Sequence, residues 1–365
     1  MAGKKIGRQA VVIGAGMAGL AAAGALADYF ERVIVLERDR LPNEAVPRPG
    51  TPQSRHLHGL LPGGQRALTD LFPHFERDLV DAGSVPLRTS SELRVEIPGL
   101  GPHPSRDFGW LLYGASRPLI ELITRRQAER LTNLTVRTGY RVQEIITTPN
   151  GSMVTGVRCK SADRRQEILL ADFVVDASGS GAPTLALLGS SGQPVPDEIV
   201  IGVDLHYTTA VFVIPQDAST SWKGIATHPH APERSRGGYM LPIEGNRWVL
   251  TLTGRLGERP PAEPDHDQDR ALLLRLAARG SDRRAGARGR VSLHGVPAPY
   301  RLALWCQHLF LEGAGAHRGA EQGLRARQRL GAKDRTPFLP QLRFDGVLVR
   351  RICPGPDRHC LGCVR

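Results

Sequence analysis

An α/β fold is predicted: a three-layer, Rossmann-type nucleotide-binding unit that carries an inserted, mainly β sheet. Three stretches predict it. In "VVIGAGMAGLAAAGALADYFERVIVLERD" (11–39), Gly14, Gly16 and Gly19 directly follow the β-branched run Val11-Val12-Ile13. In "ADFVVDASGSGAP" (171–183), another buried strand ends at Asp176 and runs into a Gly/Ser turn. In "GGYMLPIEGNRWVLTLTG" (237–254), alternating residues flank Glu244-Gly245-Asn246 as a hairpin would.

The first stretch has a rival reading. Lys4, Lys5 and Arg8 precede a 17-residue run of apolar residues and glycines that ends in Ala25-Leu26-Ala27, the layout of a secretory signal peptide. The glycine spacing decides against it. Gly14 allows a tight turn, Gly16 lets a pyrophosphate approach the backbone, and Gly19 lets helix pack on strand. Residues 17–28 read as a helix of good helix formers, whose N-terminus offers unpaired N–H groups to a phosphate. Val33-Ile34-Val35-Leu36 is a second strand, and it ends in Glu37, an acceptor for ribose hydroxyls. A signal peptide explains neither the spacing nor the second strand with its acid.

Next comes "RLPNEAVPRPGTPQSRHLHGLLPGG" (40–64), a long Pro-, Arg- and His-bearing loop of the kind that tends to be functional. Residues 65–82 are expected to be helical, with Leu68, Leu71, Phe72, Phe75 and Leu79 on one face. A further helix is expected over 117–131, opened by Arg117-Pro118. Short strands follow at Leu134–Val136, Tyr140–Val142, Val154–Val157 and Glu167–Leu170, with a turn at Pro149-Asn150-Gly151. Strands are again expected over Ile199–Ile214 and Gly224–His228.

Charge is unevenly placed. The chain carries a formal net charge of +12, but residues 255–365 alone hold 21 Lys and Arg against 11 Asp and Glu. The fold-forming part is close to neutral. The basic part shows neither zinc-finger spacing nor aromatic-basic interleaving, so nucleic acid is not expected as a partner. Five cysteines without a disulfide-like pattern fit a reducing cytoplasm, and no second stretch is long and apolar enough to span a bilayer.

Residues 9 to 255 resemble the FAD-dependent monooxygenases of the aromatic-hydroxylase type, and within them the branch with bacterial polyether epoxidases. The resemblance rests on "VVIGAGMAGL", "RPGTPQSRHLHGLL", "ASRPLIELI", "TGYRVQEI", "ADFVVDASGSG" and the hairpin stretch, in that order. It implies FAD at Gly14, Ala15, Gly16, Met17, Ala18 and Gly19, with Glu37 on the adenosine ribose and Arg38 beside it. It further implies Arg55 and Arg117 facing the cofactor, Val142 against the adenine, and Asp176 and Gly179 in a second dinucleotide motif. That motif's usual arginine is Ser180 here. The implied chemistry uses NAD(P)H as electron donor and a flavin C4a-hydroperoxide to epoxidise or hydroxylate a small apolar molecule. The cofactor carries the hard step, so no catalytic side chain is named.

The resemblance implies an FAD-binding domain over 9–198 and a β-rich substrate sheet over 199–255. It is lost over 256–365, an irregular Arg/Gly/Pro-rich region. No Gly-Asp dipeptide of the family's third motif occurs in the sequence, although "RFDGVLV" (343–349) looks like the strand that precedes it. Two readings stay open for this last third: partly out of frame or truncated, or a divergent basic tail. The rival functions are a flavin reductase of the geranylgeranyl-reductase type and a non-catalytic remnant that binds FAD weakly.

Other residues invite sharper and blander readings. His56 and His58 could approach the flavin or be a surface pair. Cys353, His359, Cys360 and Cys363 are zinc-ligand types, but no metal site is expected from residues so placed. Trp110, Tyr113, Trp222, Tyr239 and Trp248 could line a pocket or fill a core. Arg125-Arg126 and Arg164-Arg165 read as solvated faces.

Overall fold

The computed structural model describes residues 5–97, 101–216, 218, 222–230 and 235–255. The expectations for 256–365, with the strand at 343–349 and the Cys/His group, lie outside the described residues.

Strand β1 (Gly7–Ile13), helix α1 (Met17–Ala27) and strand β2 (Phe30–Glu37) form the opening βαβ unit. β1 and β2 run parallel with Val12 opposite Val35. The long loop then holds a 3-10 turn at Pro52–Arg55 and strand β3 (Gly59–Leu60), and leads into helices α2 (Pro62–Leu71) and α3 (Phe75–Asp81). The expected helix over 65–82 is therefore two helices. Pro73 has no N–H to donate and pushes Phe72 out of the helical region, to φ −136° and ψ 88°. The apolar face survives the break, since Leu68, Phe72, Phe75 and Leu79 are all buried.

Strands β4 (Val85–Arg88), β5 (Leu93–Ile97), β6 (Gly101–Pro102) and β7 (Leu111–Gly114) precede helix α4 (Arg117–Glu129). Ser116 caps α4 by accepting from the N–H of Leu119, and Pro118 sits where its missing N–H costs nothing. Then come β8 (Leu134–Thr138), β9 (Tyr140–Thr147), β10 (Val154–Ser161), β11 (Gln166–Leu170), β12 (Phe173–Asp176) and helix α5 (Ala182–Ser190). The last elements are β13 (Leu205–Val213), β14 (Gly224–Thr227), β15 (Gly237–Ile243) and β16 (Arg247–Arg255). The strand expected from Ile199 thus starts only at Leu205. Residues 192–204 run over the surface, and Ile199, Val200 and Ile201 are exposed.

Three layers result. The parallel sheet β12-β1-β2-β8 is the middle layer. Its alternate residues face opposite ways, and both sets are apolar because both faces are covered. Ala10, Val12, Val33 and Val35 pack with Leu20, Phe72, Leu119 and Ile123 of the helical layer. Val11, Ile13, Ile34 and Leu36 pack with Ile145, Val157 and Cys159 of the antiparallel sheet β11-β10-β9.

The inserted sheet has the order β13-β16-β15-β14-β5-β6, so two of its strands come from ahead of the second motif. β14 pairs with β5 in parallel, which local sequence does not reveal. One face holds Phe212, Met240, Trp248, Leu250 and Leu252 in its own core. The hairpin turn has positive φ at Gly245 and Asn246. Its Glu244 is buried and accepts from the backbone N–H of Ser116 at 2.9 Å, which ties the inserted sheet to the start of α4.

One arginine corrects the surface reading. Arg125 is buried, not solvated, and donates from Nη2 to the carbonyl of Pro42. The long loop folds back over α4 and takes that side chain out of water.

Candidate functional site

β1 lies inside the parallel sheet, with β2 on one side and β12 on the other. The chain leaves β1 in one direction and returns on the other side, so the carboxyl ends of β1 and β12 flank a topological switch point, where α/β sheets bind ligands. Both sequence motifs end there. The N–H of Ala177 donates to the carbonyl of Ile13 at 2.9 Å, which locks the second motif against the first.

The three glycines have separate tasks. Gly14 sits at φ +98°, and a Cβ there would meet the Ala177 carbonyl oxygen at 2.6 Å. A Cβ on Gly19 would lie 1.9 Å from the Gly14 oxygen. A Cβ on Gly16 would meet no atom within 4 Å. Two glycines are needed by the protein itself, and the third faces open space.

That open space adjoins the start of α1. Gly16 is its N-cap in extended conformation, with no side-chain cap and no acidic residue in the first turn. The helix therefore presents uncapped N–H groups of Met17 and Ala18 and the positive end of its dipole. Ala15 is buried and turned inward: its N–H donates to Glu37 Oε2 at 2.8 Å. Glu37 Oε1 accepts from the N–H of Asp39 at 3.0 Å. The carboxylate is buried at the end of β2, and each oxygen keeps a lone pair for a further donor.

Arg48 anchors the loop at this site, and sequence reasoning missed it. Its side chain is 6% exposed and lies 2.9 Å from Asp39, 2.7 Å from Glu121 and 3.5 Å from Glu37. Its Nη2 reaches the Ala15 carbonyl at 3.4 Å. Burial works against the guanidinium charge, but Glu121, Glu37 and Asp39 together hold its pKa above the ordinary arginine value. Three acids spread over more than 80 residues converge on it, a convergence with no linear signature.

The other expected residues separate. Arg117 is largely buried, with Nη1 3.3 Å from Glu121 Oε2 but out of hydrogen-bond alignment. Arg55 and Arg38 are exposed, and Arg55 makes no bond among the described residues. Val142 is half-buried against the β9–β11 side of the core. Asp176 accepts from Ser178 N at 3.0 Å, Thr184 N at 3.1 Å and Thr184 Oγ1 at 2.8 Å. Burial opposes its charge, yet these bonds hold its carboxyl below the usual range. Gly179 supplies the turn at φ +88°. Of the aromatics, Tyr113 and Trp248 are core, Trp110 is exposed, and Tyr239 is half-buried with its hydroxyl 3.2 Å from His228 Nδ1.

The two histidines are not a bare surface pair. His56 Nδ1 is 2.9 Å from Thr209 Oγ1 on β13, and His58 Nδ1 is 2.9 Å from the His56 carbonyl. The loop anchored over the first motif by Arg48 therefore ends against the inserted sheet. Burial lowers the His58 pKa, the bond to the His56 carbonyl opposes this, and the neighbouring Arg117 charge adds to the lowering. Neutral His58 then contributes stability that is full above the ordinary imidazole value of about 6.5 and is lost as pH falls toward the folded value. Thermal midpoints measured from pH 7.5 to 5.5 should fall, and His58→Asn should remove part of that slope. An unchanged slope would place His58 in water.

No family model matches the chain. It is 34% identical over 281 residues to Protein Rv3254 of Mycobacterium tuberculosis, an alignment covering 73% of this chain and 57% of that protein. The chain thus spans little more than half of that curated relative. Among solved structures, a variant of PqsL from Pseudomonas aeruginosa matches with a TM-score of 0.51 at 15% identity, over 88% of each chain. PqsL in complex with 2-aminobenzoylacetate matches with a TM-score of 0.50 at 16% identity, over 68% of this chain and 61% of that one. PqsL is described as a probable FAD-dependent monooxygenase. At these identities the likeness establishes the fold alone, which the chain shares with PqsL.

Proposed function

We propose that the chain binds FAD at the switch point and acts as an oxidoreductase, a monooxygenase that takes electrons from NAD(P)H and oxygenates a small apolar molecule. One observation carries this reading: the only first-motif glycine whose Cβ would meet no neighbour is Gly16, which faces the uncapped start of α1. A pyrophosphate needs that combination of space, free N–H groups and positive dipole. The residues present fit the group. Gly14 to Gly19 would cradle the pyrophosphate, and Glu37 would accept from the ribose with its spare lone pairs. Arg38 and Val142 would flank the adenosine half, Asp176 and Gly179 would close the second motif, and Arg55 and Arg117 would face the flavin half.

When bound, FAD would supply the redox chemistry, passing two electrons from the nicotinamide donor to dioxygen so that one oxygen atom enters the substrate and the other leaves as water. The chain's own tasks are to orient the substrate and exclude water. The inserted sheet suits both. Its face toward the loop presents Tyr207, Thr209, Thr251 and Val249 beside His56 and Leu57. Hydroxyls interleaved with apolar surface give a wall that can orient a small organic substrate through a few placed polar groups. Hydroxylation and epoxidation, the latter in the manner of the polyether epoxidases, both lie within this reading.

The test is direct. The 365-residue chain is titrated with FAD, then supplied with NADPH while oxygen uptake and peroxide are followed. Bound flavin with substrate-dependent oxygen uptake matched to NADPH oxidation, and without matching peroxide, supports a monooxygenase. NADPH oxidation without oxygen uptake, in the presence of an alkene acceptor, would make it a reductase. Failure to bind FAD at all would sink the reading. Glu37→Gln keeps an acceptor for the Ala15 N–H and removes the charge from the ribose contact. It should weaken FAD binding by about 1.5–3 kcal/mol, the worth of hydrogen bonds to a charged group. An unchanged dissociation constant would move the ribose contact elsewhere.

A further inference from the structure

We propose that His56 presents a neutral Nε2–H donor to an acceptor oxygen on the substrate, a carbonyl or ether, and that the Leu57 backbone sets this tautomer through two threonines. The inference rests on the reading of the inserted sheet as the substrate wall and names what that wall recognises.

The chain of contacts is continuous. Leu57 N donates to Thr251 Oγ1 at 3.1 Å. Thr251 Oγ1 and Thr209 Oγ1 are 2.7 Å apart, and Thr209 Oγ1 is 2.9 Å from His56 Nδ1. Each hydroxyl has one proton to give. A backbone N–H can only donate, so the first link has a fixed direction. Thr251 is 5% exposed, and its hydroxyl reaches no acceptor among the described residues other than Thr209. Pointed the other way, the Thr209 proton would satisfy Thr251 and leave the buried Thr251 proton without a partner, which is the costly arrangement. Thr251 therefore donates to Thr209. Thr209 keeps its own proton to give, and among the described residues the acceptor left within its reach is His56 Nδ1, so the proton is assigned there. Nδ1 is then the acceptor, and the ring hydrogen sits on Nε2.

Nε2 lies on the opposite side of the ring from Thr209. It makes no hydrogen bond among the described residues and is not among the buried unpaired atoms. The Tyr207 ring packs beside the imidazole with centroids 5.7 Å apart. His58 takes the opposite tautomer, because its Nδ1 must donate to the His56 carbonyl. The site thus offers one neutral donor beside an aromatic surface, which selects an apolar molecule carrying an oxygen acceptor. The groups that act on His56 through the network are Thr209 and Thr251, which are positioning residues.

The 365-residue chain, labelled with ¹⁵N-histidine, tests the tautomer by two-bond ¹⁵N–¹H correlation. His56 should show a protonated Nε2 and His58 a protonated Nδ1. Thr209→Val should release His56 into a mixture, and Thr209→Ser should restore the single form. Acetophenone and ethylbenzene, alike in shape except for the carbonyl, test recognition. His56→Phe should weaken acetophenone binding about fivefold and leave ethylbenzene within twofold, as for one neutral hydrogen bond. A protonated Nδ1 on His56, equal weakening of both probes, or binding of neither would overturn the inference. Loss of FAD binding alone, with these results intact, would instead overturn the proposed activity.

Discussion

Gly16→Val is expected to leave the protein folded and unable to retain FAD, while Gly19→Val is expected to prevent folding. The two glycines stand three residues apart in one motif, and what surrounds them differs. A Cβ on Gly19 would lie 1.9 Å from the Gly14 carbonyl oxygen. That atom is backbone in a turn already locked at positive φ, so it cannot swing aside. The strain should reach about 3 kcal/mol or more, the upper end for overpacking a rigid site. Around Gly16 a Cβ meets nothing within 4 Å, and the residue is extended at φ −74° and ψ 178°, a region valine favours. The new side chain would fill the space proposed for the pyrophosphate. Circular dichroism reads the fold, and flavin absorbance after gel filtration reads retention. A folded Gly16→Val protein that keeps its flavin would remove this loop from the cofactor site.

Arg48→Met should lower stability by about 3–5 kcal/mol, the cost of breaking a buried ionic group by deleting one partner. The side chain is 6% exposed, and its loss would remove the cation from between Glu37, Asp39 and Glu121, at 5%, 14% and 12% exposure, leaving Glu121 with Arg117 at 3.3 Å and Asp39 with Arg38 at 3.9 Å. Arg48→Lys should recover only part of the loss. One ammonium cannot match a fork that meets Glu121 through Nε and Asp39 through Nη1 at once. Urea unfolding followed by tryptophan fluorescence gives both values. A Met variant within about 1 kcal/mol of the parent would mean that water relieves the three acids, as at exposed ion pairs. Because Arg48 also pins the loop that leads to His56, the Met variant should bind FAD poorly even where it remains folded.

The nucleotide-binding core was legible from residue order because its determinants are local. Strand, turn, helix and strand each follow from the residues within one short stretch, and Gly14, Gly16, Gly19 and Glu37 do their work within it. The helix break at Pro73 was legible in principle, in a residue that cannot donate, although the apolar face over 65–82 reads as a single helix. Strand β5 was not, since nothing in "LRVEI" indicates that it will pair in parallel with Gly224–Thr227, far along the chain. The same holds for Glu244, which reads as a turn residue and serves as the acceptor that docks the inserted sheet on Ser116. Arg48 and the His56–Thr209–Thr251 chain belong to this second kind. A guanidinium becomes an anchor only when acids from β2's end and α4 are brought around it, and a histidine acquires a fixed tautomer only from the hydroxyls placed beside it. Local propensity is written in neighbouring residues; the charge balance of a buried group and the direction of a hydrogen bond depend on which distant residues the fold brings within about 3 Å.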